Sequence, residues 1–248
     1  MLILLPPSEG KATSGEGPRL DLGTLTLPEL TGARERVMAA LADLCSGPED
    51  TALDTLGISA RQADALKRNL DLATAPTLRA ADLYTGVLYD RLGLPDVPGA
   101  AGRVLVFSGL WGVVGPADRL PPYRLSMGVK LPPLGGLGAY WRRAMAAPLD
   151  ALTGDQLLVD CRSAAYAAAY TPGNGVTVKV LRERVVDGVV RRSVVSHMAK
   201  ATRGDIARSL LVEGVDVSTP GELVDALRDL GHAVELSAPR VLDVIVRD

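Results

Sequence analysis

Apolar residues in this chain fall into two kinds of run, unbroken short ones and stripes that recur every three or four positions. Leu2-Ile3-Leu4-Leu5, halted by Pro6-Pro7, is an unbroken run and predicts a buried strand. Residues 103–108 and 156–160 read the same way. Residues 176–181 and 189–195 instead alternate about Asp187-Gly188, the signature of a hairpin. Two further strand-like segments, 233–236 and 241–246, come last.

The stripes predict helices. Pro28 opens one over residues 29–46 with Val37, Leu41 and Leu44 in line. Ser59 with Gln62 forms a capping box, and Ala63, Leu66 and Leu70 continue the stripe behind it. Helices are also expected over 80–92, 138–152, from Ser163 through Tyr170, 197–212 and 220–230, the last capped by Thr219 with Pro220 at its first position. Residues 6–28 read as a long loop. Strands and helices joined by both crossovers and hairpins predict one α/β domain over residues 1–248, a mixed sheet flanked by helices.

Composition narrows this reading. With 248 residues, 47% of them hydrophobic, the chain can bury a substantial core and is not of disordered type. A net charge of −2 means that any attraction for phosphate has to come from a local patch. Cys45 and Cys161 have no metal-ligand spacing and read as buried thiols in a reducing cytoplasm. The opening Met-Leu-Ile-Leu lacks a basic flank and meets prolines too early for a signal peptide, and no apolar stretch reaches the ~20 residues of a membrane span, so a cytoplasmic protein is expected. His197 and His232 with scattered carboxylates give no ligand pattern, so no metal and no cofactor are expected.

Four segments hold candidate chemistry. The strand ending at Ser108 runs into a stretch rich in Gly109, Gly112, Gly115, Gly128 and Pro116, Pro121, Pro122. Such a restricted segment suits fixed presentation of Asp118, Tyr123, Arg124 and Lys130, or else is a structural turn whose Arg124 meets a nearby carboxylate. In the 197–212 helix, Lys200 and Arg203 fall in the arc of Ala199, Ile206, Leu210 and Leu211, whereas Thr202, Asp205, Arg208 and Ser209 point away. A cation on an apolar face needs a counter-charge, so these two either meet a core carboxylate, with Asp160 the leading candidate, or line a cleft that receives an anion. His197 beside them is a cap, a core residue or a proton carrier.

Ser8-Glu9-Gly10-Lys11 follows the first strand like a shortened phosphate loop and puts Lys11 within reach of a ligand. Asp160-Cys161-Arg162-Ser163 sits at a strand-to-helix junction, where helix amides favour anions; its alternative is a cap plus a surface arginine. Residues 56–66 have the apolar-Gly-apolar shape of a helix-hairpin-helix element, in which Gly57 would offer amides to a DNA phosphate and Arg61, Lys67 and Arg68 would add charge, although a plain capped helix fits the same residues.

Taken in order, Leu2-Ile-Leu-Leu with Lys11, Asp82-Leu-Tyr84-Thr85-Gly86, Ser108-Gly-Leu-Trp-Gly through Tyr123-Arg124-Leu-Ser-Met127-Gly128 to Lys130, and Lys200 with Arg203-Gly204 resemble the YaaA family of peroxide-stress proteins over nearly the whole chain. The resemblance implies a single α/β domain, a cationic cleft, a helix-hairpin-helix-like element, DNA binding and a role in limiting iron-dependent oxidative DNA damage. It carries over Lys11, Tyr84, Ser108, Tyr123, Arg124, Lys130, Lys200 and Arg203 as site residues; Asp160 and Arg162 depart from the family pattern and point to a subgroup with a different ligand. The expected partner is therefore DNA or a nucleotide-like anion. The other reading is an enzyme acting on a small anionic nucleotide- or nucleobase-like substrate. There Asp160 would be the acid/base, Arg124 and Arg203 the anion clamps, and Lys11, Lys130 or Lys200 a nucleophile or proton donor.

Overall fold

The computed structural model describes residues 1–194 and 197–247. Val195, at the end of the expected hairpin strand, and the side chain of His197 lie outside the described residues.

Among the described residues, twelve strands follow in chain order: β1 (Leu2–Leu5), β2 (Leu78–Arg79), β3 (Val104–Ser108), β4 (Gly112–Val114), β5 (Arg119–Leu120), β6 (Lys130–Leu131), β7 (Gly135–Gly136), β8 (Leu158–Asp160), β9 (Gly175–Val186), β10 (Val189–Val194), β11 (Val234–Ala238) and β12 (Val241–Arg247). The helices are α1 (Thr31–Ser46), α2 (Glu49–Leu56), α3 (Asp64–Leu70), α4 (Ala80–Leu83), α5 (Val87–Leu92), α6 (Leu137–Thr153), α7 (Ala164–Ala167), α8 (His197–Val212) and α9 (Pro220–Asp229). The main sheet has eight strands in the order β11-β12-β9-β8-β1-β3-β4, with β10 added to β9. Its middle is parallel, β1 pairing β3 and β8, β8 pairing β9 and β9 pairing β12; β4, β10 and β11 run antiparallel to their neighbours. The expected mixed α/β sheet is what the chain forms.

The sequence explains the layout. β1 and β3 are buried along their whole length, as unbroken apolar runs in a parallel sheet must be when both faces are covered. α8 lies against α5, β9 and α9, and α6 packs on β4, while α1 gathers α2 and α3. Gly204 of α8 makes the close approach to α5 possible: a Cβ there would stand 2.4 Å from the Leu88 carbonyl oxygen. The capping box at Ser59 and Gln62 forms, and Thr219 caps α9 by accepting from the Glu222 amide.

Several elements differ from expectation. The 80–92 helix is broken at Tyr84-Thr85-Gly86 because this backbone pairs with the turn after β1: Lys11 and Tyr84 form a β-bridge, the Ala12 amide donates to Leu83 and the Thr85 amide to Gly10. The alanine-rich helix is a single turn, α7. Residues 107–131 contain the short strands β4, β5 and β6, whose pairs are too brief to show as alternation. β9 is twice the expected length and continues well past the end of β8. None of the described helices is long and apolar enough to cross a membrane.

Candidate functional site

β1, β3 and β8 are parallel, so the segments after Leu5, Ser108 and Asp160 emerge at one sheet edge. The turn after β1 brings Lys11 back over this edge. Its ammonium donates to the Ser8 carbonyl at 2.6 Å and lies 4.6 Å from the centre of the Tyr123 ring and 5.6 Å from that of Tyr84. Burial, with Arg124 repelling it and Glu9 only partly compensating, lowers the Lys11 ammonium from 10.5 to about 7.

Beneath Lys11 runs a chain of hydroxyls. Ser108 Oγ stands 2.7 Å from the Tyr123 hydroxyl, which stands 2.9 Å from that of Tyr84. Ser108 Oγ also accepts from the amides of Leu110 and Trp111, so the turn after β3 is fastened to the same group. All three side chains are buried, and burial drives both phenols upward.

The glycine- and proline-rich segment is held fast. A Cβ on Gly109 would come within 2.8 Å of the Leu125 carbonyl oxygen, so its two ends lie in backbone contact. Asp118, expected to be presented, is instead buried and accepts from the amides of Thr26 and Gly115. Arg34, fully buried in α1, donates to the carbonyls of Thr26, Leu27, Trp111 and Val113 and binds the long N-terminal loop to β4. Asn69 of α3 clamps Arg124: its amide donates to the Arg124 carbonyl at 2.9 Å and accepts from the Arg124 amide at 2.8 Å. Arg124 itself reaches back to the Glu9 carbonyl at 3.0 Å.

Around this framework lie three adjoining hollows. The first, about 420 Å³, is walled by Lys11, Gly57, Arg124, Lys130 and Tyr166, with Glu9 at its rim. The second, about 270 Å³, takes Lys11, Arg61, Arg68, Tyr123 and Arg124, with Glu9 and Asp64. A smaller one of about 140 Å³ has Lys200 on its wall, again beside Glu9. Lys200 approaches the Glu9 carboxylate at 3.4 Å. Glu9 is held below the ordinary carboxylate value, first by its own backbone amide and then by Lys200 and Arg124, against the opposing effect of burial.

Other expected residues stand elsewhere. Asp160 does not meet Lys200 or Arg203; it pairs with Arg162, whose guanidinium lies 2.7 Å from the carboxylate, donates to the Tyr170 carbonyl and stacks 4.1 Å from the centre of the Phe107 ring. The two sit under the edge, both buried, and neither walls the three hollows. Arg162 is thus a core arginine rather than a surface one. Arg203 is half-buried, donates to the Val178 carbonyl and keeps a buried Nε without a hydrogen-bond partner, but it walls none of the three hollows. Lys200 shares the arc of Ala207 and Leu211 but is exposed, because it stands in the first turn of α8, beyond the packed part of the helix, where its ammonium meets Glu9. α2 and α3 do follow one another around Gly57, which has the left-handed φ of 62°. Its amide and that of Ile58 close the end of α2 on Asp54 and Leu53, and the Ser59 amide is taken by Gln62. The expected amide site for a phosphate at Gly57 is therefore corrected: those donors are used within the turn, while Lys67 is exposed and walls neither larger hollow.

Glu9, Asn69 and Tyr166 were not singled out from the sequence. Asn69 had a legible signal, an amide three and four residues after Leu66 and Ala65 on the apolar side of α3, which calls for a partner; Leu70, expected to continue that stripe, is exposed instead. Glu9 and Tyr166 had none, since each reaches the site only through the fold. Among the described residues, no three His, Cys, Asp or Glu side chains gather as a metal ion would require.

Fold and site together define a mixed-sheet α/β protein with lysine- and arginine-walled hollows at the carboxyl edge of its parallel strands. A family model described as peroxide stress protein YaaA matches residues 1–235. A UPF0246 protein of Streptomyces coelicolor is 51% identical over all of this chain and 99% of its own length. A UPF0246 protein of Corynebacterium efficiens is 42% identical over 97% of each, and one of Corynebacterium glutamicum 38% identical over 95% of each. The chain belongs to the YaaA family of peroxide stress proteins.

Proposed function

We propose that this member of the peroxide stress family is a cytoplasmic DNA-binding protein that seats a backbone phosphate in the hollow of Lys11, Arg124 and Lys130, shielding bound DNA from iron-dependent oxidation. The observation that carries this reading is the convergence of those three cations, from the turn after β1 and from the last part of a braced segment, on one hollow with Glu9 as the acid on its wall. Arg61 and Arg68 extend the positive wall into the neighbouring hollow. A chain of net charge −2 would owe its attraction for DNA to this patch. The effect on iron is indirect in this reading.

Mobility shift of labelled duplex across a salt series tests it. Removing one phosphate contact by R124A or K130A lowers the slope of log affinity against log salt by about 1. No binding at low salt, or an unchanged slope in both variants, refutes the reading.

A second reading, an enzyme acting on a small nucleotide- or nucleobase-like anion, is favoured by Lys11 alone. Its ammonium, lowered to about 7, lies against the Tyr123–Ser108 hydroxyl chain and could serve as base or nucleophile near neutral pH. Asp160 is not its acid/base in this version, since Arg162 occupies it. A saturable thermal shift with one small anion, lost in K11M, supports it; a flat response across a nucleotide library counts against it.

A further inference from the structure

Lys11 is set apart from every other lysine of the chain. Lys67, Lys130, Lys179 and Lys200 are exposed, whereas Lys11 is half-buried in the turn after β1. Its amine lies against the rings of Tyr123 and Tyr84 and donates to the Ser8 carbonyl. Among the described residues no carboxylate forms an ion pair with it; Glu9, two residues before it, meets Lys200 instead. A lysine that serves only as a phosphate contact stands in water, as the exposed Lys130 does. A desolvated amine without an acid partner sheds its proton more readily and becomes a nucleophile, in keeping with the fall of this group to about 7.

The same turn also holds an anchor for an anion. Lys11 binds the Ser8 carbonyl and Arg124 the next one, that of Glu9, so amine and guanidinium hang on successive carbonyls. Both wall the hollow of about 420 Å³, together with Lys130, Ser126 and Gly128. That volume suits a small metabolite, and a guanidinium beside an ammonium suits its phosphate. The buried hydroxyls of Ser108, Tyr84 and Tyr123 are engaged with one another. The thiols of Cys45 and Cys161 are buried too, and neither walls any of the three hollows. An amine in this setting takes a carbonyl carbon.

We propose that Lys11 is a covalent capture site for a small phosphorylated aldehyde or ketone, whose phosphate is seated by Arg124 and Lys130. The inference rests on the second reading above, in which Lys11 is a nucleophile, and names the group that it attacks. The Lys11 nitrogen donates its lone pair to the carbonyl carbon. The C=O π pair moves to oxygen, which takes up a proton while the nitrogen loses one. The carbinolamine so formed expels its hydroxyl, with the remaining N–H proton, as water and leaves a C=N bond to Nζ. One amine and one carbonyl give one imine and one water, with no change of oxidation state. A DNA backbone offers phosphate but no aldehyde or ketone, so this chemistry separates a small substrate from a duplex in the same hollow.

Pyridoxal phosphate serves as the probe, because it joins an aldehyde to a phosphate and its imine absorbs visible light. Added to the full-length protein, it should give a saturable imine signal. Borohydride, which delivers hydride to the imine carbon, should then fix the label on Lys11 in peptide maps. K11M and K11R should both lose this label, the second while keeping a cation at the position. R124A/K130A should weaken capture of pyridoxal phosphate about 10-fold or more and leave capture of pyridoxal, which lacks the phosphate, unchanged. Label spread over Lys67, Lys130, Lys179 and Lys200 as fully as over Lys11, or no label on Lys11, overturns the proposal. Equal loss of both probes in R124A/K130A, or an unchanged preference for the phosphorylated one, overturns the phosphate seat. A nucleotide that shifts melting in a saturable, Lys11-dependent way, with no imine formed by the probe, overturns the capture site and leaves the second reading standing. An imine on Lys11 with no response to any nucleotide supports the capture site and overturns the nucleotide-like substrate of that reading.

Discussion

Lys11 holds its ammonium 4.6 Å above the ring of Tyr123, at the point where the turn after β1 folds back over the sheet edge. A ring face attracts a cation, yet the surrounding protein removes water from it, and the second effect dominates: the group falls from 10.5 to about 7.

The sign of the resulting pH dependence follows. An unfolded chain keeps the Lys11 proton up to about 10.5, whereas the folded protein releases it near 7. Between those values the unfolded state binds more protons, so this group makes stability rise with pH; below about 7 the folded protein bears the full cost of a desolvated charge. Replacement by Met removes the cost. Urea midpoints of K11M should exceed those of the parent in mild acid, and the gap should close as pH climbs toward 10.5. Parallel curves for the two proteins would refute this account. Anion binding that uses the Lys11 charge should weaken as pH rises through about 7.

Asp160 and Arg162 form a buried pair with side chains 7% and 0% exposed. Breaking it strands a charge: D160N should cost about 3–5 kcal/mol, measured by chemical denaturation. D160N/R162M should recover a large part of that loss, short of the Tyr170 carbonyl that Arg162 also serves. Equal stability of D160N and the parent would show that the pair is not structural.

Gly204 faces the Leu88 carbonyl so closely that even a methyl group lacks room. G204A should destabilise by about 1–3 kcal/mol through separation of α5 and α8, seen as a lowered melting temperature. An unchanged melting point would mean that α8 shifts freely.

Tyr123 joins Ser108 to Tyr84 through its hydroxyl. Y123F leaves two buried hydroxyls short of a partner and should cost about 1–3 kcal/mol. If the second functional reading holds, turnover should fall by far more than this loss of stability accounts for, while duplex binding stays unchanged.

Most of the sheet was legible because its central strands are unbroken apolar runs closed by proline, glycine or charge, as Leu2–Leu5 before Pro6 shows. The hairpin was legible from Asp187-Gly188, whose positive φ angles of 53° and 75° fit a two-residue turn. Periodicity failed where long-range pairing overrode it. Residues 80–92 read as one helix by pattern, but Tyr84 is held extended by a bridge to Lys11, a partner far away in sequence, and Gly86 turns the chain at a φ of 97°. The site divides likewise. Lys11, Arg124 and Lys130 were visible as cations in restricted segments, whereas the fate of Asp160 and Arg162 depended on burial, which two charged residues in a junction do not announce.

Asn69 deserves its place among the site residues for a mechanical reason. Its carboxamide completes both main-chain bonds of Arg124 from within α3, the helix that also bears Arg68. Displacing that helix would carry the Arg124 main chain with it, and since Arg124 walls both larger chambers, one carboxamide anchors the shape of two hollows.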